Sequence, residues 1–384
     1  MIVTHLTLTD FRNYASLDVD LHPGANLFVG SNGQGKTNLV ESLGYLSTLG
    51  SHRVSVDHAM IRQNKDAAII RARLAHDGRE VLAEVQLNRT GANRAQVNKS
   101  AIKTRELPRY FSSVLFAPED LALVRGEPSG RRRFLDELLI LRTPRMSAVI
   151  SDYERVLRQR NMLLKTARNA RGELGTLDIW DERLVSFGSE IIQARSALVD
   201  ELSPEVTFAY SAIAGADHAA RLTNFLSILS SSVDDDSADV AATRSGTLST
   251  PVITEAFRSA LARVRKSELE RGLTLVGPHR DDLVLELNGL PARGYASHGE
   301  SWSFALALKL ASAAVLRREA SLGDPVLILD DVFAELDESR RARLAAAVGD
   351  FEQVLITAAV FGDVPEQLAT HIVRIQAGAV VDDA

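Results

Sequence analysis

The chain has 384 residues, 45% hydrophobic and 24% charged, a balance that supports one large or two ordinary globular domains with a sizeable core. It contains no cysteine, which excludes a disulfide framework or thiolate metal site and suits a cytoplasmic protein. No apolar run approaches the ~20 residues of a membrane span, and no basic segment leads into an apolar run as in a secretory signal. The net charge of −6 means that contact with nucleic acid requires a local basic surface.

Leu6 and Leu8, then Leu17, Val19 and Leu21, alternate with other residues and predict two strands joined by a turn over Asp10 to Tyr14. Phe11 and Tyr14 read as core or turn packing rather than as platforms for stacked bases. A turn at Leu21-His22-Pro23-Gly24 leads into a short buried strand over residues 25–29. The next residues, Gly30-Ser31-Asn32-Gly33-Gln34-Gly35-Lys36-Thr37, fit G-x-x-x-x-G-K-[ST]. Glycines let the backbone curl until several N–H groups point at phosphate oxygens. Lys36 brings a point charge to the β and γ phosphates, and Thr37 offers a hydroxyl to Mg²⁺. Leu39, Val40, Leu43, Leu46 and Leu49 predict a helix ending near Gly50, whose positive N-terminal end adds to the anion site. In Ser51-His52-Arg53, Arg53 reads as either a nucleotide contact or a surface arginine.

Strands are expected over residues 67–74, 81–87 and 95–102, with a hairpin turn at His76-Asp77-Gly78, and over 114–116, closed by Pro118. From Leu121 the pattern becomes helical: 131–141, then from Pro144 toward Arg168, then 179–202. Between Leu121 and Arg171 twelve basic residues face five acidic ones. This excess is either a solvated helix face or a DNA contact. Arg131 and Arg158 within it, and Lys99, Lys103 and Arg105 elsewhere, are the DNA candidates. Residues 227–250, rich in Ser and Asp, are expected to form a loop, 255–271 a helix, and 273–276, 283–287 and 326–329 strands.

Val326-Leu327-Ile328-Leu329-Asp330-Asp331 is an apolar strand ending in two carboxylates. It suits the acidic element of a phosphate-loop protein, with Asp330 directed at Mg²⁺ and Asp331 placed to position an attacking water. Ser297-His298-Gly299-Glu300-Ser301 precedes a helix, and Ser297 and Glu300 have capping-box spacing. Its place about thirty residues before the acidic strand also makes it look like the signature motif of ABC-type ATPases. His279, Asp281 and Asp282 read as metal ligands or as a Gly-Pro turn entering a strand. The layout is an α/β phosphate-loop lobe over 1–119 and 270–384, with a mainly helical lobe inserted over 120–269.

These stretches together resemble the RecF family of SMC-like, ABC-type ATPases. The resemblance covers nearly the whole chain and is weakest at 227–250. It rests on Asp10-Phe11-Arg12-Asn13-Tyr14, the phosphate loop through Asn38, Pro118-Glu119-Asp120-Leu121 and Arg132-Arg133-Phe134-Leu135-Asp136. It rests also on Gly277-Pro278-His279-Arg280-Asp281-Asp282 and on residues 329–337, which end in Glu335-Leu336-Asp337 where such ATPases carry the D-loop. The resemblance implies an SMC-head-like lobe that binds ATP and Mg²⁺ and dimerises with ATP. Nucleotide contacts would come from residues 30–38 of one subunit and from Ser297, Gly299 and Glu300 of another, with Lys36, Asp330 and Asp331 catalytic and Thr37 and Asp330 on the metal. It implies binding to duplex DNA and to single/double-strand junctions. It also implies work with RecR and RecO in loading RecA, in replication-linked repair and in SOS induction.

Asp331 replaces the glutamate of many ABC ATPases, Thr357 stands where many have a switch histidine, and no glutamine near Phe116 supplies a Q-loop. Slow turnover of ATP to ADP and phosphate, timing a clamp, is therefore expected. A transporter's nucleotide-binding subunit is the rival reading, set against by the long helical lobe and the Asp-Asp pair. Long SMC arms lack sustained heptads here, and a small-molecule kinase needs no signature motif.

Overall fold

The computed structural model describes residues 1–169, 177–216, 218–230, 243–244, 246–320 and 322–381. Most of the Ser- and Asp-rich stretch lies outside these residues, as does Arg171. The chain forms two compact units. One comprises Met1–Leu121, Phe208–Asp217 and His298–Ala384; the other comprises Ala122–Thr207 and His218–Ser297.

The first unit holds two six-stranded sheets. One is antiparallel, in the order 14–20, 2–11, 67–76, 79–88, 94–97, 100–102. Alternate residues such as Leu6, Leu8, Ile70, Ala72, Ala83 and Val85 are buried, as period-2 patterning requires. The expected strand over 95–102 is instead a hairpin. Asn98 and Lys99 both have positive φ, 50° and 66°, the geometry of a two-residue turn that matches strand twist.

The other sheet runs His371–Gln376, Gly24–Val29, Gln353–Ala358, Val326–Asp330 and Ser113–Phe116, all parallel, with Ala379–Val381 antiparallel at one edge. Val326–Asp330 and Gln353–Ala358 are buried at every residue, which explains their unbroken apolar character. Parallel strands bring their carboxyl ends to one edge, where ligands of α/β sheets bind.

The second unit packs the helices Pro128–Arg142, Met146–Asn169, Leu177–Ala214 (up to Thr207) and Thr250–Arg271 with a small sheet. The expected boundary at residue 270 is corrected. Asp282–Leu287 pairs antiparallel with Arg221–Phe225, so residues 270–297 belong to this unit. The expected strand over 273–276 is absent, because side chains take its backbone donors. Thr274 N–H donates to Asn161 Oδ1 at 2.8 Å and Leu275 N–H to Glu268 Oε1 at 2.9 Å. The helix expected to end at 202 continues through Pro204 to Ala214, carried by a buried stripe of Val206, Tyr210 and Ile213.

Tertiary partners neutralise much of the basic excess of the helical region. Arg160 is fully buried between Asp181 and Glu268, both at 2.6 Å. Arg195 bonds both oxygens of Asp136, and Arg142 pairs with Glu201. Arg131, a DNA candidate, is 4% exposed and forms a bidentate pair with Asp282 at 2.7 Å, while also donating to the carbonyls of Leu123 and Gly126. Its assignment to DNA is corrected, since a side chain so enclosed presents no charge to a phosphate.

The turn at Gly277 binds this unit together. Tyr153 OH donates to His279 Nδ1 at 2.7 Å, with Nε2 of the ring 3.2 Å from Thr274 O. Burial drives the His279 pKa down to about 3 and keeps the ring neutral. Asp281 accepts from Ser227 N and Oγ, and Asp282 faces Arg131. Three groups held by separate partners form a folded turn and not a metal site; among the described residues no metal-ligand cluster occurs.

Arg131→Ala leaves Asp282 facing an emptied site, and breaking a buried pair costs about 3 kcal/mol. Thermal melting is expected to show a destabilised protein, while the same change at exposed Arg158 leaves the melting temperature nearly unchanged.

Candidate nucleotide site

The phosphate loop leaves the strand Gly24–Val29 and enters the helix Lys36–Thr48. Gly33 and Gly35 have φ of 80° and 117°, values that disfavour any residue with a side chain. Ser31, Asn32 and Gly33 are exposed at the loop's crest, whereas Gly35 and Lys36 are buried. Lys36 Nζ donates to Gly30 O at 2.7 Å and to Ser31 O at 3.3 Å, which lays the ammonium across the loop.

The acidic strand meets the loop through Thr37. Thr37 Oγ1 donates to Asp330 Oδ1 at 3.0 Å, and Thr357 Oγ1 donates to the same oxygen at 2.6 Å. Thr357 is the penultimate residue of the strand lying between the loop strand and the acidic strand, in register with both Asp330 and Phe28. Burial pushes the Asp330 carboxyl up to about 6; the bond from Thr357 opposes this, the charge of Asp331 adds to it, and Thr37 opposes it. A hydroxyl beside a buried carboxylate is the hard oxygen set that Mg²⁺ takes, and a cation there would offset the burial. Asp331 has φ of 51°, donates its N–H to Thr357 Oγ1 at 2.9 Å, and keeps a buried Oδ1 without a protein partner. An unpaired buried carboxylate oxygen suits a group that takes a hydrogen bond from water.

A shell of residues backs the loop, and its role was hidden in the sequence. Tyr14 OH donates to Gly35 O at 3.0 Å, Asn13 Nδ2 to Gln34 O at 3.1 Å, and Asn38 Nδ2 to Asn13 Oδ1 at 2.8 Å. A Cβ on Gly35 would stand 2.6 Å from Asn13 and 2.8 Å from Tyr14. Phe11 and Tyr14 are fully buried, as read from the sequence, but Tyr14 also supports the loop. Glu41, a buried residue of the loop helix itself, accepts from Nε and Nη2 of Arg12 and from the Ser51 hydroxyl. Burial opposes its charge, yet the bonds from Arg12 and Ser51 and the charges of Arg12 and Arg53 hold its pKa below the usual value. Arg53 donates to Asn38 Oδ1 at 2.9 Å and lines a cleft of about 930 Å³ with Asn13, Asn38, His58, Lys65 and Arg89. Capping-type spacing reveals none of these bonds; only the compact Asp10–Tyr14 motif hinted at them.

Of the signature residues, Ser297 is exposed ahead of the helix His298–Glu319, with Gly299 and Glu300 in its first turn. Gly299 lies against the guanidinium of Arg340, which pairs with Asp337 at 2.7 Å.

Residues 2–376 match the RecF/RecN/SMC N terminal domain. The DNA replication and repair protein RecF of Clavibacter sepedonicus is 67% identical over all of this chain and 95% of its own length. That of Leifsonia xyli subsp. xyli is 66% identical over the whole of both. The chain belongs to the RecF family. A solved structure of the recombination mediator protein RecF-ATP in the RecFOR pathway superposes with a TM-score of 0.87 at 28% identity, covering 100% of this chain and 97% of that one. An SMC head bound to the C-winged helix domain of ScpA, 14% identical with a TM-score of 0.53, shares the fold. An α/β SMC-head-type fold is thus shown for this RecF-family chain, and among its described residues no helix is long and apolar enough to cross a membrane.

The remaining DNA candidates differ from Arg131. Lys99, Lys103 and Arg105 are exposed and carry no ion pair among the described residues, whereas exposed Arg158 has Glu154 at 3.7 Å.

Thr357→Val keeps shape but removes the donor to Asp330 and the acceptor for Asp331. A drop in ATP turnover of at least tenfold, with recovery in Thr357→Ser, is expected in a phosphate-release assay.

Proposed function

We propose that this RecF-family chain is an ATP-dependent DNA-binding recombination mediator in the cytoplasm. The convergence of Lys36, Thr37, Asp330 and Asp331 at the carboxyl edge of the parallel sheet carries the reading. ATP would lie along residues 30–38 with its nucleoside toward the cleft at Arg53. Mg²⁺ would sit on Thr37 and Asp330, where it neutralises charge on the phosphates. Asp331 would orient water for slow hydrolysis to ADP and phosphate.

Ser297, Gly299 and Glu300, with the N-terminus of a 22-residue helix, would meet the γ-phosphate held by a second copy. ATP then becomes part of a homodimer interface and clamps the dimer on DNA at gaps, where RecR and RecO join it in loading RecA. Replication-linked repair and SOS induction are the processes served.

The DNA surface is best sought at the hairpin and turn over 94–109. Arg94, Lys99, Lys103, Arg105 and Arg109 are all exposed there without ion pairs among the described residues, and Glu106 is the one acid in that stretch of sequence.

Ser297→Arg is expected to bind ATP as a monomer and fail to dimerise in light scattering with ATP. Normal dimerisation would reduce the motif to a helix cap. Glutamate at Lys99, Lys103 and Arg105 is expected to weaken DNA binding and to lower its log–log salt slope by about one unit per lost contact. An unchanged slope moves the DNA surface elsewhere.

A further inference from the structure

Two adjacent arginines straddle the turn that follows the acidic strand. Arg341 Nε donates to the carbonyls of Phe333 and Leu336 at 2.8 and 2.9 Å and so fixes the backbone of the turn. Arg340 faces the other way. Its backbone N–H donates to Asp337 Oδ1 at 2.9 Å and its Nη1 to Asp337 Oδ2 at 2.7 Å, so one carboxylate caps the helix Glu338–Val348 and holds the side chain. The guanidinium then lies against Gly299. A Cβ at that glycine would lie 2.7 Å from Nη1 and 2.8 Å from Nη2. Glycine at 299 thus leaves room for an arginine from a distant part of the chain. Arg340 Nε is buried and has no acceptor among the described residues, although buried guanidinium donors are normally satisfied.

We propose that Arg340 is a positioning residue that joins the signature helix to the turn after the acidic strand, so that a second copy's nucleotide, on reaching Gly299, also sets Asp337 and the segment leading back to Asp331. This rests on the proposed ATP dimer. Arg340 touches no reacting atom. It acts through the two elements it holds.

The experiment compares dimer dissociation constants of full-length protein in Mg·ATP and in Mg·ADP, by light scattering, with ATP affinity of dilute monomer measured alongside. Arg340→Ala is expected to keep monomer affinity within about twofold and to reduce the ATP-over-ADP preference for dimers at least tenfold. Arg340→Lys, which retains the charge facing Asp337 but not the guanidinium contact with Gly299, is expected to recover part of it. A merely structural role would weaken dimers in both nucleotides alike and leave the ratio unchanged, and that outcome overturns the proposal. Should Arg340→Ala melt early, Gly299→Ala displaces the same guanidinium from the other side with both charges kept, and a wild-type ratio there is equally fatal. A wild type that forms no ATP-dependent dimer removes the proposed function itself, and this inference falls with it.

Discussion

The structure of the site depends on one carboxylate oxygen. Asp330 Oδ1 accepts from Thr37 and Thr357 together, so the loop helix, the central strand and the acidic strand are tied at a single atom. The carboxylate is buried, and such a group is tolerated only when hydrogen-bonded or paired. Parallel pairing makes the arrangement possible: Phe28, Thr357 and Asp330 stand in register across three neighbouring strands. Thr357 does more than fill the place of a histidine. One hydroxyl donates to Asp330 and accepts from Asp331, so the two acids cannot move independently of it.

Charge burial organises the second unit in a different way. Arg131, Arg160 and Arg195 are each enclosed and each meets a carboxylate from a remote segment. Removing one partner from such a pair is far more damaging than the pair is stabilising. These arginines therefore specify which helices and strands assemble, and the turn at Gly277 takes part through the Arg195 bond to Pro278 O and the Arg131 pair with Asp282. The exposed cations over 94–109 in the first unit have no such carboxylate partner among the described residues.

The first unit carries its own support for the loop. The turn at residues 10–14 reaches the loop through Asn13 and Tyr14 and the loop helix through Arg12 and Glu41. A loop held from behind by polar contacts keeps its shape before any ligand arrives, and such preorganisation favours recognition.

The sequence by itself determined the phosphate loop, the acidic strand, most strands and helices, and the family. These are legible because local periodicity, glycine spacing and an apolar run ending in Asp-Asp are properties of contiguous residues. It did not determine which charges are free. Twelve basic residues counted against five nearby acids suggested either a solvated helix face or a DNA face, yet Asp181, Glu201, Glu268 and Asp282, all outside that window, take up part of the excess. The unit boundary, the irregular path of 273–276, the support from Asn13, Tyr14 and Glu41, and the meeting of Arg340 with Gly299 were likewise decided only by the tertiary structure. Each depends on groups far apart in the chain. Burial and hydrogen-bond satisfaction are settled by what surrounds a residue in space, and a linear pattern holds no record of that.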